Sequence, residues 1–244
     1  IDMNPVESVP LDDIRVRKAL NMAVNRQEIV DFFYEGAANP TPFGQLGDVA
    51  GYNYAYADWP QALKDEYSYN PVAAEALLLL YGYSHNLTID IWHPSVSDGT
   101  LLLLMKDYFA AIGVTSNIIE IDQISFADKI SAMEAYGLTW YYYSRFTLSP
   151  DGWVSAWHYN GAGAGAGPIA LIGLLHDMVD AMIAASTLEE QRDLVQQCDR
   201  YALENHFAIP TPLRGSFVFW QPWFFGFDAE GWAVIGSGGP RTWI

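Results

Sequence analysis

The side chains that most often perform chemistry are present, but their spacing assembles no recognisable centre. None of the five histidines pairs with another at the i, i+4 spacing that places two metal ligands on one helix face. We interpret each as a surface or hydrogen-bonded histidine. The sequence has no G-x-S-x-G elbow and no Gly-rich dinucleotide fingerprint, so it predicts no catalytic residue, metal or cofactor. The histidines are His85, His93, His158, His176 and His206.

The remaining reactive groups also favour structural roles. Asp12 and Asp13 are adjacent, and we interpret them as favourable charge at a helix N-terminus and not as a catalytic dyad. Cys198 is the only cysteine and falls inside a predicted helix, which favours a small buried hydrophobe over a nucleophile. The Gly/Ala run at 161–167 lacks the Lys-Ser/Thr pair of a phosphate loop, and we expect a mobile loop there.

Aromatic residues are more informative, with 9 Trp, 15 Tyr and 12 Phe. Several lie at the end of a predicted strand near 138–144 and in the loop after it. Ligands of α/β proteins gather beyond the carboxyl ends of strands, so this rim predicts the mouth of a cleft. The alternative, aromatic side chains packed under helices, stays open for each residue. The candidate ligand-binding residues are Trp140, Tyr143, Ser144, Arg145, Phe146, Trp153 and Trp157.

Composition excludes several classes of partner. Twelve Lys and Arg against 29 Asp and Glu give a formal net charge of -17, which repels phosphate backbones and anionic lipids. We therefore expect no nucleic-acid partner. With 51% hydrophobic and 17% charged residues, the chain can bury a sizeable core. The longest apolar runs, at 76–80 and 101–105, are far shorter than the roughly 20 residues of a membrane-spanning helix.

Periodicity and capping signals predict the helices that come before the sheet. Apolar residues recur at helical spacing from Ile14 to Val24, and Asn25 with Glu28 forms a capping box for a second helix, ending near Gly36. Asn70 and Pro71 open a further helix that stops at Gly82. Between them, residues 37–69 predict a long surface loop anchored by aromatic residues.

From residue 87 strands and helices alternate. Strands are predicted at 87–92, 114–121 and 138–144, with a helix closed by Gly113 between the first two and a helix closed by Gly137 between the last two. Two consecutive βαβ units predict an α/β fold with a largely parallel sheet flanked by helices. Two helices are predicted next. The first spans about 171–185, and the second begins at a Thr187–Glu190 capping box and ends near Glu204. A short strand is predicted at 217–220.

Three segments resemble a known family. The stretch PLDDIRVRKALNMAVNRQEIV, residues 10–30, is similar to the motif that opens the second lobe of family 5 solute-binding proteins of ABC importers, the oligopeptide, dipeptide and nickel-binding type. YNPVAAEALLLLYGY, residues 69–83, resembles a helix of that family. The helix ending near Glu204, followed by AIPTPL at 208–213, resembles its closing helix and strand. The resemblance extends over essentially the whole chain.

The resemblance implies a fold and a role. Residues 1–215 would form the second, carboxy-terminal lobe of a two-lobe periplasmic-binding-protein-like molecule, and residues 216–244 a tail returning towards the hinge and the first lobe. The chain would be a carboxy-terminal fragment whose partners are a small solute, the missing amino-terminal lobe and ABC permease subunits. Its location would be periplasmic or extracellular, with membrane anchoring through the amino-terminal part. It would not be an enzyme.

The ligand stays open between two solutes. Many peptide-binding members carry an aspartate for the peptide's amino group after the third strand, and here Phe146 occupies that place, with Arg145 beside it. An arginine suits a carboxylate, which favours a peptide or modified peptide, whereas stacked aromatics suit an oligosaccharide. A hydrolase using scattered carboxylates is the alternative from another class. We expect weak or undetectable affinity from the isolated lobe, because half of the closing surface is absent.

Overall fold

The computed structural model describes residues 2–4, 10–44, 52–83, 85, 87–97, 99–132, 137–140 and 172–214. Short 3-10 turns lie at Pro10–Asp12 and Tyr56–Asp58, and α2 continues as a π-helix over Ile29–Phe33. The strands are β1 Asp2–Asn4, β2 Ala38–Asn39, β3 Leu87–Pro94, β4 Val114–Ile121, β5 Gly137–Thr139 and β6 Leu213–Arg214. The helices are α1 Ile14–Ala23, α2 Arg26–Glu28, α3 Gln61–Glu66, α4 Pro71–Leu80, α5 Thr100–Ala111, α6 Gln123–Ser131, α7 Ile172–Ala184 and α8 Leu188–Glu204.

The main sheet has the order β1-β5-β3-β4. Strand β3 pairs in parallel with β4, where Leu87 lies opposite Val114, and also with β5, where Ile91 lies opposite Leu138. The two βαβ units therefore place β4 and β5 on either side of β3. This confirms the predicted α/β fold with a mostly parallel sheet, while β1, which pairs antiparallel with β5, makes the sheet mixed.

Local capping chemistry forms the helix ends where the sequence predicts them. The side chains of Asn25, Asn70 and Thr187 each accept a hydrogen bond from the backbone N–H three residues on, at 3.1, 3.1 and 3.2 Å. Each bond satisfies a donor that the helix itself leaves without a partner. After α4 and α5, Gly82 and Gly113 adopt left-handed φ angles of +89° and +78°, which favour glycine.

The prediction of a continuous surface loop at 37–69 is wrong in part. The segment contains α3, and β2 pairs antiparallel with β6, more than 170 residues later in the chain. The predicted aromatic anchoring is present, because Trp59 and Tyr67 are buried with Leu63 of α3 and Leu203 of α8. The predicted strand at 217–220 lies outside the described residues.

The principal core lies between the main sheet and helices α1, α4 and α5, and a second cluster joins α7 to α8. Cys198 belongs to that second cluster, and burial raises the pKa of its thiol to about 12. The thiol is therefore protonated at neutral pH, as the prediction of a buried hydrophobe requires.

Two arginines of the 10–30 motif are buried against the segment that follows α8. Arg17 donates from Nε to the carbonyl oxygen of Asn205 at 2.9 Å, and from Nη1 to those of Leu11 and Asp12 at 2.6 and 2.9 Å. Burial lowers the pKa of Arg17 to about 10. Because that value is still well above neutrality, the guanidinium keeps its charge, which strengthens these hydrogen bonds.

Arg26 and Asn21 complete this contact. Arg26 donates to the carbonyl oxygens of Pro210 at 2.8 Å and Tyr67 at 2.7 Å, and to Oδ1 of Asn21 at 3.1 Å. Asn21 in turn donates to the carbonyl oxygen of Ala208 at 3.2 Å. Residues 205–210, which we name the returning segment, are thus held by three side chains of the motif. The motif builds the scaffold of the fold.

Candidate functional site

Three parallel strands end at one edge of the main sheet, and their last side chains form a row. His93 of β3 lies opposite Glu120 of β4 in the strand register. The backbone N–H of Trp140, directly after β5, donates to the carbonyl oxygen of Trp92 at 2.8 Å. Leu138 pairs with Ile91, so Trp140 and His93, each two residues further along, lie opposite each other on the same face of the sheet. Trp140, His93 and Glu120 therefore lie side by side in the order β5, β3, β4. We name them the edge row.

The members of the edge row differ in exposure. His93 has only 5% of its side chain exposed, whereas Glu120 has 63% exposed. Trp140 is partly buried against the principal core. Nε2 of His93 lies 3.7 Å from Oε2 of Glu120. The edge row therefore combines a solvent-facing carboxylate, an imidazole fixed beneath it and an aromatic ring on the next strand.

The start of α5 fixes the histidine. Gly99 precedes α5, and a Cβ at this position would lie 2.8 Å from Cε1 of the His93 ring. Only a residue without a side chain fits there unless the ring moves. Nδ1 of His93 lies 3.3 Å from the carbonyl oxygen of Pro94, which fixes the ring from its other side. The imidazole is consequently held in one orientation before any ligand arrives.

On the opposite face of the sheet, residues at this edge contact helix α6. Nζ of Lys129, on α6, lies 5.3 Å from the ring centroid of Trp92, so that ring stacks with a cation of the chain itself. Asp122 accepts hydrogen bonds from the backbone N–H groups of Ile124 and Ser125, and its contacts with Ser125 lower the pKa of the carboxyl. Asp122 is exposed, but its carboxylate caps α6. Glu120 is the second exposed carboxylate at this end of the strands.

Of the predicted cleft residues, the structure describes Trp140, which lies directly after β5. Tyr143, Ser144, Arg145, Phe146, Trp153 and Trp157 lie outside the described residues, and their role in binding stays a prediction. His93 and Glu120 were missed, because β3 was predicted to end at Trp92 and the pairing register was unknown. Continuing the strand alternation two residues further would have placed His93 at the same edge.

Two other groups of described ionisable residues make contacts within the fold. Oδ1 of Asp13 accepts the backbone N–H of Arg15 at 2.9 Å, which confirms its predicted place at a helix N-terminus. Nε2 of the buried His206 lies 2.9 Å from Oε2 of Glu66. Within the described part of the chain, no group of three or more His, Cys, Asp or Glu residues could hold a metal ion. In the same part, every helix is too short or too polar to cross a membrane.

Curated relatives that match are named as glutathione-binding proteins. A glutathione-binding protein GsiB of Salmonella typhimurium is 32% identical over 124 residues, which cover 50% of this chain and 22% of that protein. GsiB of Escherichia coli K12 is 30% identical over the same length, with the same coverage. The chain thus spans about a fifth of the length of these relatives.

Solved structures show the same fold at low sequence identity. Periplasmic binding protein DppA from Helicobacter pylori in complex with the peptide STSA superposes with a TM-score of 0.66 and 18% identity, covering 87% of this chain and 40% of that one. NikA from Brucella suis in complex with Fe(III)-EDTA gives a TM-score of 0.69 with 14% identity, covering 89% and 47%.

A Pseudoalteromonas dipeptide-binding protein in complex with Met-Leu gives a TM-score of 0.64 with 19% identity, covering 84% of this chain and 40% of that one. The family model described as bacterial extracellular solute-binding proteins, family 5 Middle, matches residues 1–165. This match includes the 10–30 motif with its buried arginines and all three strands that carry the edge row. The chain therefore belongs to family 5 of the bacterial extracellular solute-binding proteins.

Proposed function

We propose that this chain is the second, carboxy-terminal lobe of an extracytoplasmic solute-binding protein that captures a peptide or peptide-like solute and delivers it to an ABC importer. The edge row supports this proposal, because it places polar and aromatic side chains at the carboxyl edge of a parallel sheet, where ligands of α/β proteins bind, in a member of this family. Residues 1–215 form the lobe in this proposal, and residues 216–244 return towards the hinge and an amino-terminal lobe.

The chemistry of the edge row suits recognition. A carboxylate and a fixed imidazole supply directional polar contacts, and Trp140 supplies an apolar surface, which is the usual composition of a small-molecule site. Bond cleavage needs an activated nucleophile or an acid and base arranged about the substrate. Cys198, the chain's one thiol, is buried and protonated. We therefore infer a binding protein that releases its solute unchanged.

The relatives favour a peptide-like solute. GsiB is named as a glutathione-binding protein, and two neighbouring structures hold the peptides STSA and Met-Leu. We infer that the protein works outside the cytoplasmic membrane, in the periplasm or anchored to the cell surface through its amino-terminal part. Its partners are then the permease subunits and the amino-terminal lobe. The net charge of -17 argues against a nucleic-acid partner.

NMR titration of the isolated chain tests the proposed function. A pool of di- to pentapeptides at millimolar concentration should shift the backbone amides of the edge row, because weak binding to one wall is still visible at that concentration. A pool of maltooligosaccharides is the comparison. Shifts caused by the oligosaccharides and not by the peptides would overturn the peptide assignment, and peptide-induced shifts confined to residues away from the edge row would overturn the placement of the site.

The two-lobe arrangement has its own test. The chain joined to its amino-terminal lobe should bind the same peptides at least 100-fold more tightly, since the second lobe completes the desolvated surface. Equal affinity in the isolated chain and the two-lobe protein would contradict the proposal that the solute is enclosed between lobes.

A further inference from the structure

We propose that His93 and Glu120 together form a receptor for an ammonium group, and that it binds the free amino group of the solute. This inference rests on the proposed function and assigns the polar recognition at one point of that site. It is carried by the geometry of the pair at the edge of the sheet, 3.7 Å between Nε2 and Oε2.

The hydrogen-bond partner of His93 assigns its tautomer. Nδ1 lies 3.3 Å from the carbonyl oxygen of Pro94, and a carbonyl oxygen only accepts. In the neutral ring this contact favours the proton on Nδ1, which leaves an unshared electron pair on Nε2. Nε2 of His93 and Oε2 of Glu120 are then two hydrogen-bond acceptors 3.7 Å apart, with no proton between them.

The spacing of the two acceptors matches one cationic donor. An N–H donor lies about 2.9 Å from its acceptor, and a single nitrogen at that distance from both atoms spans a gap of 3.7 Å. An ammonium group has three N–H donors and can place one on each acceptor. Its positive charge also offsets the carboxylate, which makes the contact a charge-assisted hydrogen bond.

The receptor is rigid on one side and open on the other. His93 is held by Gly99 and Pro94 and is almost fully buried, so little conformational freedom is lost when it binds. Glu120 is 63% exposed and gives the ammonium group access from solvent. Trp140 stands two strands away from Glu120, where it offers an apolar face to the rest of the solute.

A second His–Glu pair supplies a matched control. Nε2 of His85 lies 3.3 Å from Oε1 of Glu75, and both side chains are exposed. His85 precedes β3, so this pair lies towards the amino ends of the strands, at the edge opposite the edge row. Glu75→Gln removes the same charge as Glu120→Gln without touching the proposed receptor.

The first experiment reads the tautomer in the free chain. Long-range ¹H–¹⁵N correlation spectra of the imidazole rings should show His93 protonated on Nδ1 and unprotonated on Nε2 at pH 8. A proton on Nε2 would overturn the proposal, because that proton already points at Glu120. This result does not depend on any solute binding.

The second experiment titrates the chain joined to its amino-terminal lobe with the peptide pool with free amino termini and with the same pool after N-acetylation. In the wild-type chain the free pool should bind more tightly. Glu120→Gln should weaken binding of the free pool about 10- to 100-fold, the loss expected for a hydrogen bond to a charged group, and change binding of the acetylated pool less than about twofold. Glu75→Gln should leave both affinities unchanged. Thermal melting of each variant shows whether the fold is retained.

The outcomes separate the two proposals. Equal binding of both pools, or the same preference in Glu120→Gln, overturns the ammonium receptor and leaves peptide binding in place. Binding of neither pool overturns both. Ni²⁺ alone is the third probe, because imidazole and carboxylate also bind metals. Nickel binding that disappears in Glu120→Gln would reassign the pair as a metal site and overturn the inference.

Discussion

Arg26→Met should destabilise the protein by about 3–5 kcal/mol. Arg26 is buried and donates three hydrogen bonds, of 2.8, 2.7 and 3.1 Å, two of them to backbone carbonyl oxygens. Hydrogen bonds to charged groups contribute about 1.5–3 kcal/mol each, and methionine leaves all three acceptors without this donor. Removal of the guanidinium also removes its own desolvation cost, which reduces the net loss to roughly that of breaking a buried charged contact.

Urea unfolding measures this loss as a lower midpoint with an unchanged m-value. Against a total stability of about 5–15 kcal/mol, the expected shift is large. Arg200→Met is the control, because Arg200 is exposed and pairs with Glu204 one helical turn away at 2.7 Å. Its loss should leave the urea midpoint nearly unchanged, because an exposed ion pair contributes little to stability. If Arg26→Met costs less than about 1 kcal/mol, or no more than Arg200→Met, the returning segment is not held by this arginine.

Three further predictions concern stability, each measured by urea unfolding. Burial holds the pKa of His206 below its usual 6.5 despite the contact with Glu66, so only the unfolded chain takes up this proton and stability falls as the pH drops below 6.5. His206→Gln should flatten that slope, and an unchanged slope would contradict the assignment. Ser116→Ala should raise stability by up to about 1 kcal/mol, because the buried hydroxyl makes no hydrogen bond to the described residues; a loss above about 0.5 kcal/mol refutes this. Gly44→Ala should cost about 1–3 kcal/mol, because its Cβ would lie 1.8 Å from Oδ1 of the buried Asp199, and a neutral result would contradict the packing.

Sequence reasoning succeeded where the determining contact is local. Asn25, Asn70 and Thr187 each cap a helix through an N–H three residues away, so residue type and spacing suffice to predict the end. The strands at 87–92 and 114–121 carried the period-two alternation of a half-buried strand. The α/β fold follows from the order of such elements, and the family resemblance agreed with it.

Prediction failed where the partner is distant in the chain. Strands β2 and β6 have two residues each and exist only through their pairing with one another, so neither carries a pattern of its own. The pattern places Arg17 and Arg26 at polar positions of amphipathic helices, yet both are buried. Each donates to a carbonyl oxygen far away in the chain, 188 residues from Arg17 and 184 residues from Arg26. His93 and Glu120 meet through a strand register that no local pattern encodes.

The residues that carry the family motif and those of the edge row lie on different elements, and this separation lets variants distinguish stability from recognition. Arg26 holds the returning segment against α1, so its loss should lower the melting temperature. Glu120 lies on an edge strand with its carboxylate in solvent, so its loss should leave melting unchanged. Below its melting transition, Arg26→Met should therefore bind peptides like the wild type, whereas Glu120→Gln should bind weakly while fully folded. If Arg26→Met lost affinity in the folded state, the scaffold and the site would be coupled through the principal core, and the edge row would not be an independent recognition surface.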